Sequence, residues 1–254
     1  MSKKIVIANW KMNPASSKEV EKFFSGILKN LPSLKDTTVI VCPPCVFLDK
    51  LSKIKTTKIK LGAQNVFYED RGAYTGEVSG AMLQNFGVRY VILGHSERRS
   101  LGEKNEDVNK KIKASLSCGL LPILCVGECT RDENHKYLNF IKTQIEECLS
   151  GIQKNLLSKI IIAYEPIWAI GKNAIREATG AEFLEMKIFI KKTLNDISNG
   201  KTEIPKIIYG GSVDDKNILD FINNGQADGF LVGRASLDAE KFSKIVKICE
   251  TSKV

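Results

Sequence analysis

Residues 160–171 read Ile160-Ile-Ile-Ala-Tyr-Glu-Pro-Ile-Trp-Ala-Ile-Gly171 and indicate most clearly how this chain folds. The first five residues form an unbroken apolar and aromatic run, which is typical of a strand buried on both faces of a parallel sheet. Glu165 follows this strand, and Pro166 favours extended geometry at Glu165, so the carboxylate should project beyond the sheet. The order of strand, polar residue and loop predicts one unit of an α/β fold.

Seven further runs of this kind are spread along the chain, and an apolar stripe with helical spacing follows each of them. The eight runs cover residues 5–8, 39–41, 59–63, 90–93, 121–126, 160–164, 206–209 and 229–232. Eight strand–helix units predict an α/β fold. The predicted architecture is a closed (β/α)8 barrel of eight parallel strands ringed by eight helices.

The rival architecture is an open, doubly wound sheet, which favours a glycine-rich loop after the first strand. Here the first strand leads into Asn9-Trp-Lys-Met-Asn13, a segment without glycine. The chain has no linker, low-complexity tract or break in composition. We therefore expect residues 1–254 to form a single barrel domain.

Composition excludes several classes of protein. Hydrophobic residues at 43% and charged residues at 26% are ordinary values for a globular protein. No apolar run approaches the ~20 residues that span a bilayer, and the start of the chain is too short for a secretory signal. We therefore expect a cytoplasmic protein with no membrane partner.

The net charge of +9 admits an anionic ligand, but the lysines are scattered and aromatic residues make up only 7%. A protein that binds single-stranded nucleic acid interleaves its basic residues with stacking aromatics. We therefore expect no nucleic-acid partner. Seven cysteines, including Cys42-Pro-Pro-Cys45 and the looser pair Cys125 and Cys129, make no convincing four-ligand set. We expect free thiols and no metal.

The chemistry of a barrel enzyme lies at the carboxyl ends of its strands. The residues that follow strands one, four, six, seven and eight should therefore converge on one rim: Asn9, Lys11, His95, Glu165, Ser212, Gly233 and Arg234. Glu165 is a candidate general base. His95 precedes a helix start at Ser96, where the helix dipole disfavours a cation, so a neutral imidazole would donate a hydrogen bond to a carbonyl oxygen.

The remaining rim residues suit an anionic substrate. Lys11 would attract and hold an anion, and the loops Gly210-Gly-Ser212 and Gly233-Arg234 allow close backbone approach to a phosphate. The structural alternatives are a surface glutamate at Glu165, a histidine that ties two loops together at His95, and a surface lysine at Lys11.

The loop after strand six is unusually apolar. A loop buries such residues only if it folds down onto something, so we predict a lid that closes on a ligand and excludes water. The lid residues are Pro166, Ile167, Trp168, Ala169, Ile170 and Gly171. The alternative is a loop packed permanently on the rim.

These motifs closely resemble, in order and along essentially the whole chain, those of the triosephosphate isomerase family. The resemblance is carried by Asn9-Trp-Lys-Met-Asn13, Gly72-Ala-Tyr-Thr-Gly-Glu77, Leu93-Gly-His-Ser-Glu-Arg-Arg99, Cys125-Val-Gly-Glu128, Ala163-Tyr-Glu-Pro-Ile-Trp-Ala-Ile-Gly171 and Tyr209-Gly-Gly-Ser-Val213. It implies a TIM barrel and an aldose–ketose isomerase of glycolysis and gluconeogenesis. The implied reaction interconverts dihydroxyacetone phosphate and D-glyceraldehyde 3-phosphate through an enediol(ate), with no cofactor.

The resemblance also implies a role for each matching residue. Glu165 matches the base and His95 the neutral electrophile. Lys11, with Asn9 beside it, matches the group that holds the substrate, and Glu97 matches a second carboxylate of the site. The phosphate-binding groups are matched by Gly171, Ser212, Gly233 and the backbone amide of Arg234.

The family is a homodimer as a rule, and Thr75 matches the residue that reaches toward the partner's site. Two stretches depart from the family pattern. The lid, which continues Gly-Thr-Gly-Lys-Thr-Ala in the family, reads Gly171-Lys-Asn-Ala-Ile-Arg176 here, and Arg234 stands in place of a glycine.

Two other functions compete with this interpretation. Another phosphosugar isomerase, epimerase or aldolase could use the same barrel, but a Schiff-base aldolase needs a desolvated lysine inside a strand, and Lys11 lies after its strand. A barrel kept only as a binding surface for polyanions is favoured by the charge of +9. It is disfavoured by the presence of both Glu165 and His95.

Overall fold

A computed structural model of the chain describes residues 3–171 and 174–252. Eight parallel strands close into a barrel in which each strand pairs with the next along the chain and the last pairs with the first. The strands are β1 (Lys4–Asn9), β2 (Thr37–Cys42), β3 (Ile59–Ala63), β4 (Tyr90–Leu93), β5 (Leu121–Val126), β6 (Ile161–Tyr164), β7 (Lys206–Tyr209) and β8 (Gly229–Val232). The predicted parallel barrel is confirmed.

Helices follow every strand and surround the barrel. They are α1 (Ser17–Asn30), α2 (Leu48–Ser52), α3 (Gly80–Asn85), α4 (Ser96–Ser100), α5 (Asn105–Ser117), α6 (Lys136–Cys148), α7 (Gly180–Ser198), α8 (Ile218–Asn223) and α9 (Ala239–Thr251). The short helix α4 is additional to the predicted ring of eight. None of its residues is buried, so it has no apolar stripe that periodicity could reveal.

The barrel separates two apolar cores. Side chains alternate along a strand, so Ile5 and Ile7 point into the barrel interior while Val6 and Ala8 face the helices. Both environments exclude water, and this is why the strands read as unbroken apolar runs. Five predicted strand ranges coincide with β3, β4, β5, β7 and β8.

The ends of β1 and β2 extend beyond their predicted ranges because their polar end residues still pair. Lys4 lies opposite Thr37, and Asn9 lies opposite Cys42. Hydropathy identifies only the apolar middle of such a strand, so it could not predict the polar residues that pair at the two ends. The extension carries β1 up to Asn9, which brings that side chain to the rim.

All seven cysteines are free thiols, as the sequence predicts. Cys42 and Cys125 lie inside the barrel, and burial raises the pKa of the Cys42 thiol far above its ordinary value. Among the helices that the structure describes, none combines the length and apolar character needed to cross a membrane.

Candidate active site

Glu165 and His95 meet at the carboxyl end of the barrel. Glu165 follows β6 and is 2% exposed. Its Oε1 lies 3.1 Å from His95 Nε2, and its Oε2 accepts a hydrogen bond from the Ser96 backbone N–H at 2.9 Å. Two donors from the loop after β4 therefore hold the carboxylate.

The hydrogen bonds of His95 define its tautomer. His95 is the N-cap of α4, and its Nδ1 accepts a hydrogen bond from the Glu97 backbone N–H at 3.2 Å. A ring nitrogen that accepts carries no proton. The geometry therefore favours a proton on Nε2, which faces Glu165, and with it the neutral imidazole expected from the sequence.

Lys11 occupies a left-handed backbone conformation, with φ of +53°. Such a conformation costs a non-glycine residue about 1–3 kcal/mol and persists only where neighbours hold it. Asn9 Oδ1 accepts from the Lys11 backbone N–H at 3.0 Å, and Gln64 Nε2 donates to the Lys11 carbonyl at 2.9 Å. The ammonium group consequently turns to the rim, where it forms an ion pair with Glu97.

The loops after β7 and β8 lie on the same rim. Ser212 Oγ donates to the Ala169 carbonyl at 3.1 Å, which ties the β7 loop to the predicted lid. A methyl group placed on Gly233 would stand 3.4 Å from Lys11 Cε, so Gly233 neighbours the lysine. Arg234 begins the 3-10 helix Arg234–Leu237 with φ outside the left-handed region, so an arginine replaces the family's glycine here without backbone strain.

One cavity of about 370 Å³ opens beside this cluster. Asn9, Lys11, His95 and Glu97 all line it. Other predicted site residues lie outside the cluster. Thr75 is exposed on its own loop, and a side chain at Gly171 would meet no atom within 4 Å.

The predicted lid packs on the rim in this structure. It forms the 3-10 helix Ile167–Ala169, and Trp168 is only 6% exposed. Trp168 Nε1 donates to Glu128 Oε1 at 2.8 Å, and Tyr164 donates its hydroxyl to the same oxygen at 2.8 Å. The apolar loop folds onto the protein, which agrees both with a lid and with the alternative of a loop packed permanently on the rim. Within the variant hinge, Lys172 and Asn173 lie outside the described residues.

Sequence reasoning missed two residues that support the site, Gln64 and Glu128. Gln64 stands directly after β3 and donates to both the Lys11 and the Cys42 carbonyls. Glu128 stands two residues after β5 and accepts a hydrogen bond from Trp168 in the lid. The strand-end rule would have found both, because each follows the end of a strand as closely as Lys11 does.

The close packing around Glu165 leaves no room for larger neighbours. A methyl group on Gly127 would fall 1.8 Å from the Glu165 carbonyl oxygen. On the interior side, burial first and the charge of Glu165 second raise the pKa of Cys125 well above its ordinary value. The thiol next to the carboxylate therefore stays neutral.

A cluster of charged side chains around the buried Glu103 carboxylate contacts the loop that carries His95. The Gly94 backbone N–H donates to Glu103 Oε2 at 3.2 Å, and Glu103 also binds Arg98 and Lys111. Burial raises the pKa of Glu103, but hydrogen bonds and charges from Lys111 and Arg98 outweigh this and bring it below its ordinary value. Glu103 is therefore an anion under the loop at neutral pH.

Comparison with known proteins gives a consistent result. The sequence model of the family described as triosephosphate isomerase matches residues 4–249. A protein of Dehalococcoides mccartyi (strain ATCC BAA-2266 / KCTC 15142 / 195) named triosephosphate isomerase is 46% identical over 249 residues, covering 96% of this chain and 95% of its own. Proteins of the same name from Dictyoglomus thermophilum and Aquifex aeolicus are each 43% identical, covering 97% and 96% of this chain and 100% and 98% of theirs. The chain belongs to the triosephosphate isomerase family.

Proposed function

We propose that Glu165, His95 and Lys11 carry out the reaction of this isomerase, which interconverts dihydroxyacetone phosphate and D-glyceraldehyde 3-phosphate. The observation that carries the assignment is the 3.1 Å contact between His95 Nε2 and Glu165 Oε1. In this proposal a carboxylate base lies next to a neutral donor, and His95 and Lys11 both line the cavity of about 370 Å³. A base and an electrophile at one place are what proton transfer between adjacent carbons requires.

The reaction moves one proton between carbon atoms and one between oxygen atoms. The Glu165 carboxylate removes a proton from C1 of dihydroxyacetone phosphate, and the C–H electron pair forms the C1–C2 double bond of the enediolate. The negative charge develops on O2, where His95 Nε2–H donates a hydrogen bond and Lys11 supplies a positive charge. His95 passes its proton to O2 and recovers one from O1, and Glu165 returns its proton to C2.

The other rim residues bind and orient the substrate in this proposal. Asn9 holds the Lys11 backbone, and Glu97 orients the ammonium group through its ion pair. Backbone amides at Gly171, Ser212, Gly233 and Arg234 bind the phosphate, since amide groups at loops and helix starts suit anions. Every proton in the mechanism moves through a side chain, so the mechanism uses no metal or cofactor.

The lid encloses the reacting substrate in the same proposal. Residues 166–171 exclude water from the enediolate while the second proton moves. The proposal also treats residues 1–254 as one domain, a barrel whose eight strands all contribute to one closed sheet. It places this isomerase in the cytoplasm.

A mutation of His95 tests the electrophile. His95→Gln keeps a hydrogen-bond donor but loses the proton shuttle, so we expect kcat to fall about 10²-fold. A coupled assay that follows conversion of glyceraldehyde 3-phosphate measures this. The exposed His135 is the only other histidine, so His135→Gln is the matched control and should leave kcat unchanged.

The tautomer of His95 is testable separately by nitrogen NMR of the imidazole. We expect the neutral form with its proton on Nε2 at neutral pH, because Nδ1 accepts from Glu97. A spectrum in which both ring nitrogens carry protons, or near-normal turnover by His95→Gln, would remove His95 from this role.

We further propose that the protein is a homodimer. Met12, Val46, Met82 and Leu101 are 94%, 76%, 51% and 83% exposed, which is unusual for such large apolar side chains. They lie on one face, because the apolar groove lined by Val46 and Met82 shares Cys45 and Val78 with the active-site cavity lined by Met12 and Leu101. A second copy would cover this face, with Thr75 of the neighbouring loop reaching across.

Sedimentation equilibrium tests the dimer. We expect twice the mass of the chain for the wild type and a single chain mass for Val46→Asp, because burying an unpaired carboxylate in an apolar interface is costly. Ile188 on α7 is also exposed, at 60%, so Ile188→Asp is the matched control and should stay dimeric. A monomeric wild type at micromolar concentration, or a dimeric Val46→Asp, would contradict the proposal.

A further inference from the structure

Two guanidinium groups lie over the ring of Trp168 in the lid. The Arg176 Cζ atom is 4.5 Å from the ring centroid, and the Arg131 Cζ atom is 5.3 Å from it. Distances below about 6 Å are those of an attractive cation–π contact. Trp168 therefore makes a stacking contact in addition to its hydrogen bond with Glu128.

Arg176 is anchored to α7 by Glu182. Both guanidinium nitrogens bind the carboxylate, with Nη1 donating to Oε2 at 3.0 Å and Nη2 donating to Oε1. Paired contacts of this kind hold an arginine in one orientation. Glu182 is itself fixed at the start of α7, where its Oε2 accepts from the Thr179 backbone N–H at 2.9 Å and from the Thr179 hydroxyl at 3.1 Å.

Both partners of the ion pair are charged at neutral pH. The hydrogen bond from Arg176 is the largest cause that lowers the pKa of Glu182, to about 2. The carboxylate is therefore an anion at neutral pH. Arg131 approaches the same carboxylate at 3.8 Å. Glu182 therefore contacts both guanidinium groups that lie over Trp168.

Arg176 is also tied to the lid through the backbone. The Ile175 N–H donates to the Trp168 carbonyl at 2.8 Å. This bond brings the residue next to Arg176 directly onto the lid helix. The family pattern has alanine at this place, and an alanine side chain has no group that could stack on Trp168.

We propose that Arg176 is a positioning residue that stabilises the lid in the arrangement described here and so opposes its movement onto the substrate. The inference rests on the proposed function, because it takes residues 166–171 as the lid. Glu182 fixes Arg176 to α7, so the guanidinium cannot follow when Trp168 moves relative to that helix. Lid movement therefore breaks the stacking contact. The free energy of ligand binding becomes less favourable by the free energy of that contact.

The test combines affinity with the mobility of Trp168. In Arg176→Ala we expect the dissociation constant of 2-phosphoglycolate, a phosphate-bearing mimic of the enediolate, to fall about two- to fivefold, the range of a half-exposed cation–π contact. Calorimetry measures the affinity. Time-resolved anisotropy of tryptophan emission in the free protein should show faster local motion, while Trp10, fully buried, contributes a constant background.

Matched variants separate the stack from a general loss of charge. Arg176→Lys keeps the charge but loses the planar group and the paired contact, so it should behave largely like Arg176→Ala. Glu182→Gln releases the arginine and should shift both readouts in the same direction. Arg89→Ala removes an exposed arginine before β4, at the opposite end of the barrel, and should change neither.

Two results would overturn the inference. Unchanged anisotropy in Arg176→Ala would show that the arginine does not hold Trp168. Faster motion with an unchanged or weaker affinity would show that the contact does not oppose lid movement. Failure of the proposed function is distinguishable, because it would appear as a wild-type protein that does not bind 2-phosphoglycolate, whereas the anisotropy of the free protein needs no ligand.

Discussion

Glu165→Gln is expected to lower kcat about 10³-fold while the affinity for 2-phosphoglycolate stays within a few-fold of the wild type. The amide keeps the shape of the side chain, and its oxygen can still accept the Ser96 N–H that holds the carboxylate at 2.9 Å. What it cannot do is accept a proton from carbon. The loss therefore falls on the chemical step and leaves binding largely intact.

The coupled assay and calorimetry together measure this separation of turnover from binding. Glu106 in the first turn of α5 is an exposed glutamate outside the site. Glu106→Gln makes the same chemical change, so it is the matched control and should have wild-type kcat. Near-normal turnover by Glu165→Gln would remove Glu165 from the role of base.

Lys11→Met is expected to lower kcat/KM about 10- to 10²-fold, the scale of a lost hydrogen bond from a charged donor to an anion. Methionine preserves much of the side-chain volume but removes the charge that faces the cavity. The dependence of kcat/KM on salt should become weaker, because screening acts on the attraction between Lys11 and the phosphate dianion.

Lys50 provides a closely matched control for Lys11. It is 35% exposed and pairs with Glu21 at 2.9 Å, while Lys11 is 28% exposed and pairs with Glu97. Lys50 does not line the active-site cavity, so Lys50→Met removes a similar ion pair and should leave both kcat/KM and its salt dependence unchanged. If Lys11→Met does the same, then Lys11 lies outside the functional site.

The two mutations of the rim and the mutation of the lid test different parts of the proposal. Glu165→Gln acts on proton transfer, Lys11→Met acts on attraction of the substrate and on stabilisation of the charge at O2, and Arg176→Ala acts on the position of Trp168. Glu165 and Lys11 are more than 150 residues apart in the sequence, and each is brought to the rim by the strand before it.

The amino-acid pattern was enough to predict the barrel and to identify the residues at the carboxyl ends of its strands, where the proposed site lies. Apolar periodicity is a local property. A strand buried on both faces can therefore be predicted from its own residues alone. Glu165, His95 and Lys11 were predictable for the same reason, because each follows such a strand within a few positions. Ends of strands that consist of polar residues, as at Lys4 and Asn9, were invisible to the same signal.

The contacts that hold these side chains in place are seen in the folded protein. The tautomer of His95 depends on the Glu97 N–H within the added turn α4, and the left-handed conformation of Lys11 depends on Gln64, which is 53 residues away. Trp168 depends on Glu128, 40 residues earlier in the chain, and on the anchoring of Arg176 by Glu182. The contacts of Gln64 with Lys11 and of Glu128 with Trp168 join strand ends that meet only when the barrel closes. No pattern of neighbouring residues encodes these two contacts, whereas burial on both faces is encoded in every strand.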